Sequence, residues 1–230
     1  MTPILSVDAT RFDPDALRAA AAAVRRGGVI AYPTETVYGL GADPFDEAAV
    51  RRTFDLKGRG AEKALILLIR GEADLSHVAT EVTETARRLM EAFWPGPLTL
   101  VLKASSGLPK ALLGGGETVA VRVSSHPVAR ALVDLVGGPI TSTSANPSGQ
   151  PPARSAAEVA AVFGEGIDLI VDGEPSADDR PSTVVDVSGP LPILLREGKI
   201  GVTALEAVVG RVLQAQKRGS EIGGQGSGNP

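Results

Sequence analysis

Apolar positions along the chain recur at two spacings that alternate from the N-terminus onward, which predicts strands interleaved with helices in an α/β domain. Residues 15–26 are alanine-rich with Leu17 and Val24 on one face, a helix that Gly27 and Gly28 stop. Residues 28–32 form a short apolar strand ended by Pro33, and it delivers a polar loop over 34–41. A second helix follows, with Asp46 as cap, Glu47 in the first turn, and Ala49, Val50 and Phe54 as apolar face up to Leu56. The most apolar run, 64–69, predicts a central strand. Residues 81–93 predict a helix that ends before Pro95, 98–103 and 118–123 two strands, and 127–136 a helix closed by Gly137 and Gly138. Beyond Ile140 the pattern turns polar as far as Arg154. A helix over 155–163, strands over 168–171 and 183–187, and a terminal helix over 203–217 complete the reading. The five glycines of 219–230 predict a flexible tail, which leaves residues 1–218 as a single domain without internal repeats.

Composition narrows the class. With 43% hydrophobic and 22% charged positions in 230 residues the chain can build one sizeable core and is neither disordered nor fibrous. Cysteine is absent, which removes disulfides, thiolate zinc sites, iron–sulfur clusters and cysteine nucleophiles, and fits a reducing compartment. Asp8 and Asp13 interrupt the start where a signal peptide needs an apolar stretch, and no run approaches the ~20 apolar residues that span a bilayer. The expected location is the cytoplasm, with no membrane partner. A net charge of −4 and eight scattered aromatic residues argue against a nucleic-acid surface built on global charge or stacking. Small-molecule chemistry is favoured.

Most common catalytic devices are missing. There is no Gly-x-x-x-x-Gly-Lys-Ser/Thr loop and no Gly-x-Gly-x-x-Gly after a strand. His77 and His126 are the only histidines and lie far apart, so no metal pair is expected and no Ser-His triad is supported. Catalysis must then rest on positioning and fixed charge. Three polar loops can supply both. In the first, Lys57-Gly-Arg59-Gly-Ala-Glu-Lys63, the glycines end a helix, and an extended chain there projects Lys57 and Arg59 to one side as an anion site. A solvated helix C-terminus accounts for the same cations. In the second, an extended Ser142-Thr-Ser144-Ala-Asn146 puts two hydroxyls and an amide on one face, although any turn before a helix uses such residues. The third, Pro33-Thr34-Glu35-Thr36-Val-Tyr-Gly-Leu-Gly41, leaves a strand end beside glycines that admit a ligand closely, or is a plain polar turn. Arg122, Ser182 and Arg196 are single candidates, each arginine asking for an anion or an internal carboxylate.

With these residues in view, the chain resembles the YrdC family, the threonylcarbamoyl-adenylate synthases that begin formation of N6-threonylcarbamoyladenosine in tRNA. The resemblance runs through Pro33 to Gly41, Lys57-Gly-Arg59, Trp94-Pro-Gly-Pro-Leu-Thr99, Ala120-Val-Arg-Val123, Ser142 to Asn146, Ser182-Thr-Val-Val-Asp186 and Leu195-Arg-Glu-Gly198. It implies a twisted mixed parallel/antiparallel sheet flanked by helices with a concave positive face. The implied reaction turns L-threonine, bicarbonate and ATP into threonylcarbamoyl-AMP and pyrophosphate, with magnesium. It also implies weak tRNA binding, a downstream threonylcarbamoyl-transferase complex as partner, and the short, single-domain type. By the same resemblance Thr34, Thr36, Arg122, Ser142 and Ser182 form the threonine set. Lys57, Arg59, Lys63, Ser144, Asn146 and Arg196 form the ATP and bicarbonate set, with Lys57 and Arg59 catalytic. Gly60 and Ala64 stand where the family commonly has proline, Leu68 where many relatives have histidine, and Ser124 where proline is frequent. The alternatives are a non-catalytic RNA-binding module and a paralogue with another carbamoyl or adenylate chemistry.

Overall fold

The computed structural model describes residues 1–58, 60, 64–173 and 180–215. Hydrogen bonding divides their strands into two sheets. The smaller runs β1 (Ile4–Ser6), β9 (Leu169–Asp172), β2 (Ile30–Tyr32), β3 (Gly39–Gly41) and β8 (Thr143–Ser144). The larger runs β12 (Leu213–Gln214), β11 (Ile193–Arg196), β10 (Thr183–Asp186), β5 (Leu98–Lys103), β6 (Thr118–Arg122), β4 (Ile66–Leu68) and β7 (Ile140–Thr141). Pairing is mixed, parallel between β2 and β9 and between β4 and β6, antiparallel between β2 and β3 and between β5 and β6.

Helices cover these sheets as period-two burial requires. Alternate residues of β2 face opposite ways. Ile30 and Tyr32 pack with Leu17 and Val24 of the first helical segment, which includes α1 (Arg18–Arg25), and with Leu132 of α5 (Pro127–Val136). Ala31 packs with Ala49 of α2 (Glu47–Lys57) and Val159 of α6 (Ala156–Phe163). Leu75 of α3 (Glu72–Val78), Leu89 of α4 (Glu84–Phe93) and Leu205 of α7 (Val202–Val209) join Leu98, Leu100 and Leu102 of β5 in the largest core.

Local chemistry sets the helix ends. Asp46 caps α2 by accepting from the Ala48 and Ala49 N–H groups at 2.9 and 3.2 Å, and Gly58 ends it in the left-handed region at φ 53°. Several stretches depart from the periodicity reading. Gly39–Gly41 is a strand, because the Tyr32 ring covers it so closely that a Cβ on Gly41 would lie 2.6 Å from the ring. Residues 140–144 are two short strands, not a loop. The terminal helix stops at Val209, where Gly210 takes φ 79°, and β12 follows; residues 216–230, the expected tail included, lie outside the described ones. β1, α3 and β11 are elements that periodicity left unread. Among the described residues no helix is long and apolar enough to cross a membrane.

Candidate functional site

The segment 140–144 joins the two sheets. Thr141 pairs with Leu67 of β4, Ser144 with Gly39 of β3, and Ser142 sits between the two ladders with its N–H donating to Ile66 O at 2.6 Å. Beside this junction lies a cavity of about 300 Å³ lined from both sheets. Thr34, Thr36, Arg122, Ser142, Ser144, Ser182 and Arg196 provide its polar wall, and Val37, Ala64, Ile66, Pro152 and Pro181 its apolar one.

Each polar group arrives by a nameable route. Thr34 and Thr36 stand on the connection between β2 and β3, their hydroxyls 2.9 Å apart, with Thr34 Oγ1 donating to Val37 O at 2.7 Å. Arg122 ends β6 and is buried, 5% exposed. Its Nη1 donates to Thr36 Oγ1 at 3.2 Å, its Nη2 lies 3.6 Å from Glu35 Oε2, and its Nε has no partner among the described residues. Ser182 precedes β10 and shares a 2.9 Å hydrogen bond with Thr99 Oγ1. Arg196 closes β11; its Nε and Nη2 donate to Ser182 O at 3.1 and 2.9 Å, and Nη2 to Ser182 Oγ at 3.1 Å. Gly39 keeps the floor open: a Cβ there would sit 3.4 Å from both Ser142 Oγ and the Tyr32 ring. Burial pushes the Tyr38 phenol up to about 12 and raises Tyr32 further, so both line or back the cavity as neutral hydroxyls.

Lys57 and Asn146 brace the wall from behind. Lys57 is the last residue of α2, only 3% exposed, and its Nζ donates to Ser144 O at 2.5 Å, Asn146 O at 2.8 Å and Asn146 Oδ1 at 3.2 Å. Asn146 Oδ1 also accepts from Ser144 Oγ at 2.5 Å. The extended geometry expected at Lys57 is corrected here: the helix holds that residue before Gly58 turns the chain. Arg59 and Lys63 lie outside the described residues. Leu68 is 1% exposed within a hydrophobic core and does not line the cavity.

Three polar residues behind the wall, Glu35, Ser124 and Lys199, were absent from the expected set. Ser124 Oγ donates to Glu35 Oε2, and Lys199 Nζ donates to the Glu35 carbonyl. Glu35 lies inside a quoted motif, and a carboxylate flanked by two site threonines was the available signal. Among the described residues no group of three or more His, Asp or Glu side chains comes together to cage a metal ion.

The chain is similar to known proteins in sequence and in fold. The family model of the Sua5/YciO/YrdC domain, described as "Telomere recombination", matches residues 22–198. A protein of Pyrococcus abyssi named threonylcarbamoyl-AMP synthase is 43% identical over 212 residues, 92% of this chain, and the chain spans 62% of that relative's length. A protein of the same name from Halorhodospira halophila is 46% identical over 173 residues, 75% of this chain and 91% of its own. The crystal structure of P. abyssi Sua5 complexed with L-threonine superposes with a TM-score of 0.88 at 41% identity, covering 94% of this chain and 62% of that one. A family match across most of the chain, joined to close relatives in sequence and in structure, means that the chain belongs to the Sua5/YciO/YrdC family.

Proposed function

We propose that this chain is a threonylcarbamoyl-AMP synthase, joining L-threonine, bicarbonate and ATP for N6-threonylcarbamoyladenosine formation in tRNA. One observation carries the reading. Residues from seven separate chain segments converge on a single cavity, and the buried guanidinium at its wall holds an Nε–H for which the described residues provide no acceptor. A buried donor of that kind is costly unless a ligand completes it. A substrate carboxylate is the fitting acceptor.

On this reading Arg122 takes the threonine carboxylate, while the hydroxyls of Thr34, Thr36, Ser142 and Ser182 receive its amine and side-chain hydroxyl. Ile66 and the prolines offer the apolar contact for its methyl. ATP and bicarbonate lie toward Ser144 and Arg196, with Asn146 and Lys57 holding β8 in place and adding one buried positive charge. Arg59 and Lys63 belong to the same set. The amine adds to bicarbonate with loss of water, and a carbamate oxygen attacks the α-phosphorus as pyrophosphate leaves. Fixed cations stabilise the developing negative charge, so no histidine or cysteine nucleophile is needed. Magnesium would arrive with the nucleotide phosphates and balance their charge; among the described residues no group of three or more Asp, Glu or His side chains comes together to cage it. The reading carries with it a cytoplasmic location and a downstream partner that transfers the threonylcarbamoyl group to tRNA.

Pyrophosphate release from ATP with bicarbonate tests the proposal. Release should require L-threonine and fall roughly 10²-fold or more in Arg122→Ala, since truncating one partner of a buried charge pair costs about 2–5 kcal/mol. Threonine-independent release, or tight salt-dependent tRNA binding with no turnover, would contradict it.

A further inference from the structure

Behind the cavity wall lies a buried ionic cluster to which the reaction above gives no task. Glu35 stands between the two site threonines with 14% of its side chain exposed. Its Oε2 lies 3.6 Å from Arg122 Nη2 and accepts from Ser124 Oγ, while its Oε1 is buried without a partner among the described residues. Ser124 is fixed in turn by the His126 backbone N–H, which donates to its Oγ at 3.2 Å. Lys199 ties the Glu35 main chain down from the other side. Among the described residues the buried side-chain atoms lacking partners are Glu35 Oε1, Arg122 Nε and His126 Nδ1, and all belong to this cluster.

A long arginine side chain loses rotamer freedom when it grips a ligand, and an anion binder gains when that loss is met beforehand. Here Thr36 holds Nη1 and Glu35 attracts Nη2, so the plane of the guanidinium is set before substrate arrives and the remaining Nε–H keeps one direction. The carboxylate also supplies the counter-charge that lets a guanidinium stay buried before an anionic ligand binds. A neutral isostere would leave the arginine charged, poorly compensated and free to turn away.

We propose that Glu35 is a positioning residue for amino-acid binding: braced by Ser124, its carboxylate holds the Arg122 guanidinium against Thr36, so that Nε–H is presented ready-oriented to the substrate carboxylate. The inference rests on Arg122 being the threonine ligand. The test is steady-state kinetics of Glu35→Gln with threonine and ATP varied separately. The expected result is a threonine KM raised about tenfold, with the ATP KM and kcat within about twofold, the size of one charge-assisted contact. In an Arg122→Lys background the same substitution should change the threonine KM less than about twofold, because the group it acts through is gone. An unchanged threonine KM in Glu35→Gln would overturn the proposal, as would equal rises for threonine and ATP, the mark of a merely structural role. If Glu35→Gln does not fold, Ser124→Ala decides: it keeps both charges and should raise the threonine KM about threefold by loosening the carboxylate, and no change there refutes the idea. Absence of product from the wild-type protein would instead defeat the proposed function, a separate and visible outcome.

Discussion

Alanine at Gly198 puts a methyl group where the chain has almost no room. An ideal Cβ would lie 2.2 Å from Pro181 O, 2.6 Å from Ser182 C and 2.7 Å from Ser182 O. All three neighbours are main chain, so no side chain can swing aside, and the shortest contact needs roughly 1 Å more before it is an ordinary van der Waals separation. The two segments are also tied, with Lys199 N–H donating to Pro181 O at 3.1 Å and Gly198 N–H to Thr183 Oγ1 at 3.0 Å. Retreat of Pro181 and Ser182 therefore carries the Ser182 hydroxyl and the carbonyl that holds Arg196 out of register with the cavity. Overpacking of this kind costs about 1–3 kcal/mol of stability, and a displacement near 1 Å at a substrate group costs on the order of 10² in turnover. Urea unfolding should show a lower midpoint at unchanged slope, and threonine-dependent pyrophosphate release should drop in kcat/KM. Gly138→Ala is the control, since a Cβ there meets nothing within 4 Å, and it should stay within about 0.5 kcal/mol. Wild-type stability and turnover in Gly198→Ala would refute the reasoning that this close approach shapes the site.

Other substitutions separate bracing from binding. Lys57→Met removes the donor that Ser144 O, Asn146 O and Asn146 Oδ1 share; it should cost about 1–3 kcal/mol in urea unfolding and raise the ATP KM more than the threonine KM. Ser182→Ala loses the Thr99 and Arg196 contacts at Oγ while leaving the carbonyl in place, and should lower kcat/KM for threonine by about tenfold. Asp74 is fully buried against Arg70; burial pushes its carboxyl up, but hydrogen bonds from the Arg70 side chain and backbone together with the Arg70 charge outweigh that and hold it below the usual aspartate value. Its contribution to stability is therefore complete above the unfolded aspartate value near pH 4 and is lost as pH falls through the lower folded one. Asp74→Asn should be less stable at pH 7 by about 1–3 kcal/mol, with the gap closing below about pH 4 in urea titrations over pH.

Helices with one-sided faces were legible because burial on one side imposes a 3.6-residue pattern, as in α2 with its Asp46 cap and Gly58 stop and α5 between Pro127 and Gly137; β5 was legible instead as a mostly apolar run whose first five positions are buried on both faces. Among the strands of two or three residues, β2 and β4 were legible only because they sit inside longer apolar runs; β1, β3, β7, β8 and β12 carry no such signal. Gly39–Gly41 forms β3 through tertiary shielding by Tyr32, and β7 and β8 exist only because each finds an edge of a different sheet. The site divides in the same way. Thr34, Thr36, Arg122, Ser142, Ser182 and Arg196 stood out as polar candidates whose chemistry also suited plain turns or internal pairs, and only the family resemblance grouped them; the fold brings all of them to one cavity. Lys57 was legible as a residue but not as a buried brace, since that role depends on where α2 ends relative to β8. The apolar wall of Ala64, Ile66, Pro152 and Pro181 could not be read, because nothing distinguishes such residues from core until the sheets are assembled.

As proposed, this cavity joins an amino acid, bicarbonate and ATP into one mixed anhydride. Mass detection of the product from purified wild-type protein, supplied with isotopically labelled bicarbonate, tests it most directly. The expected product is threonylcarbamoyl-AMP that carries the label, formed with L-threonine and lost in Arg122→Ala. An adenylate without the label, or the same product yield in Arg122→Ala, would contradict it.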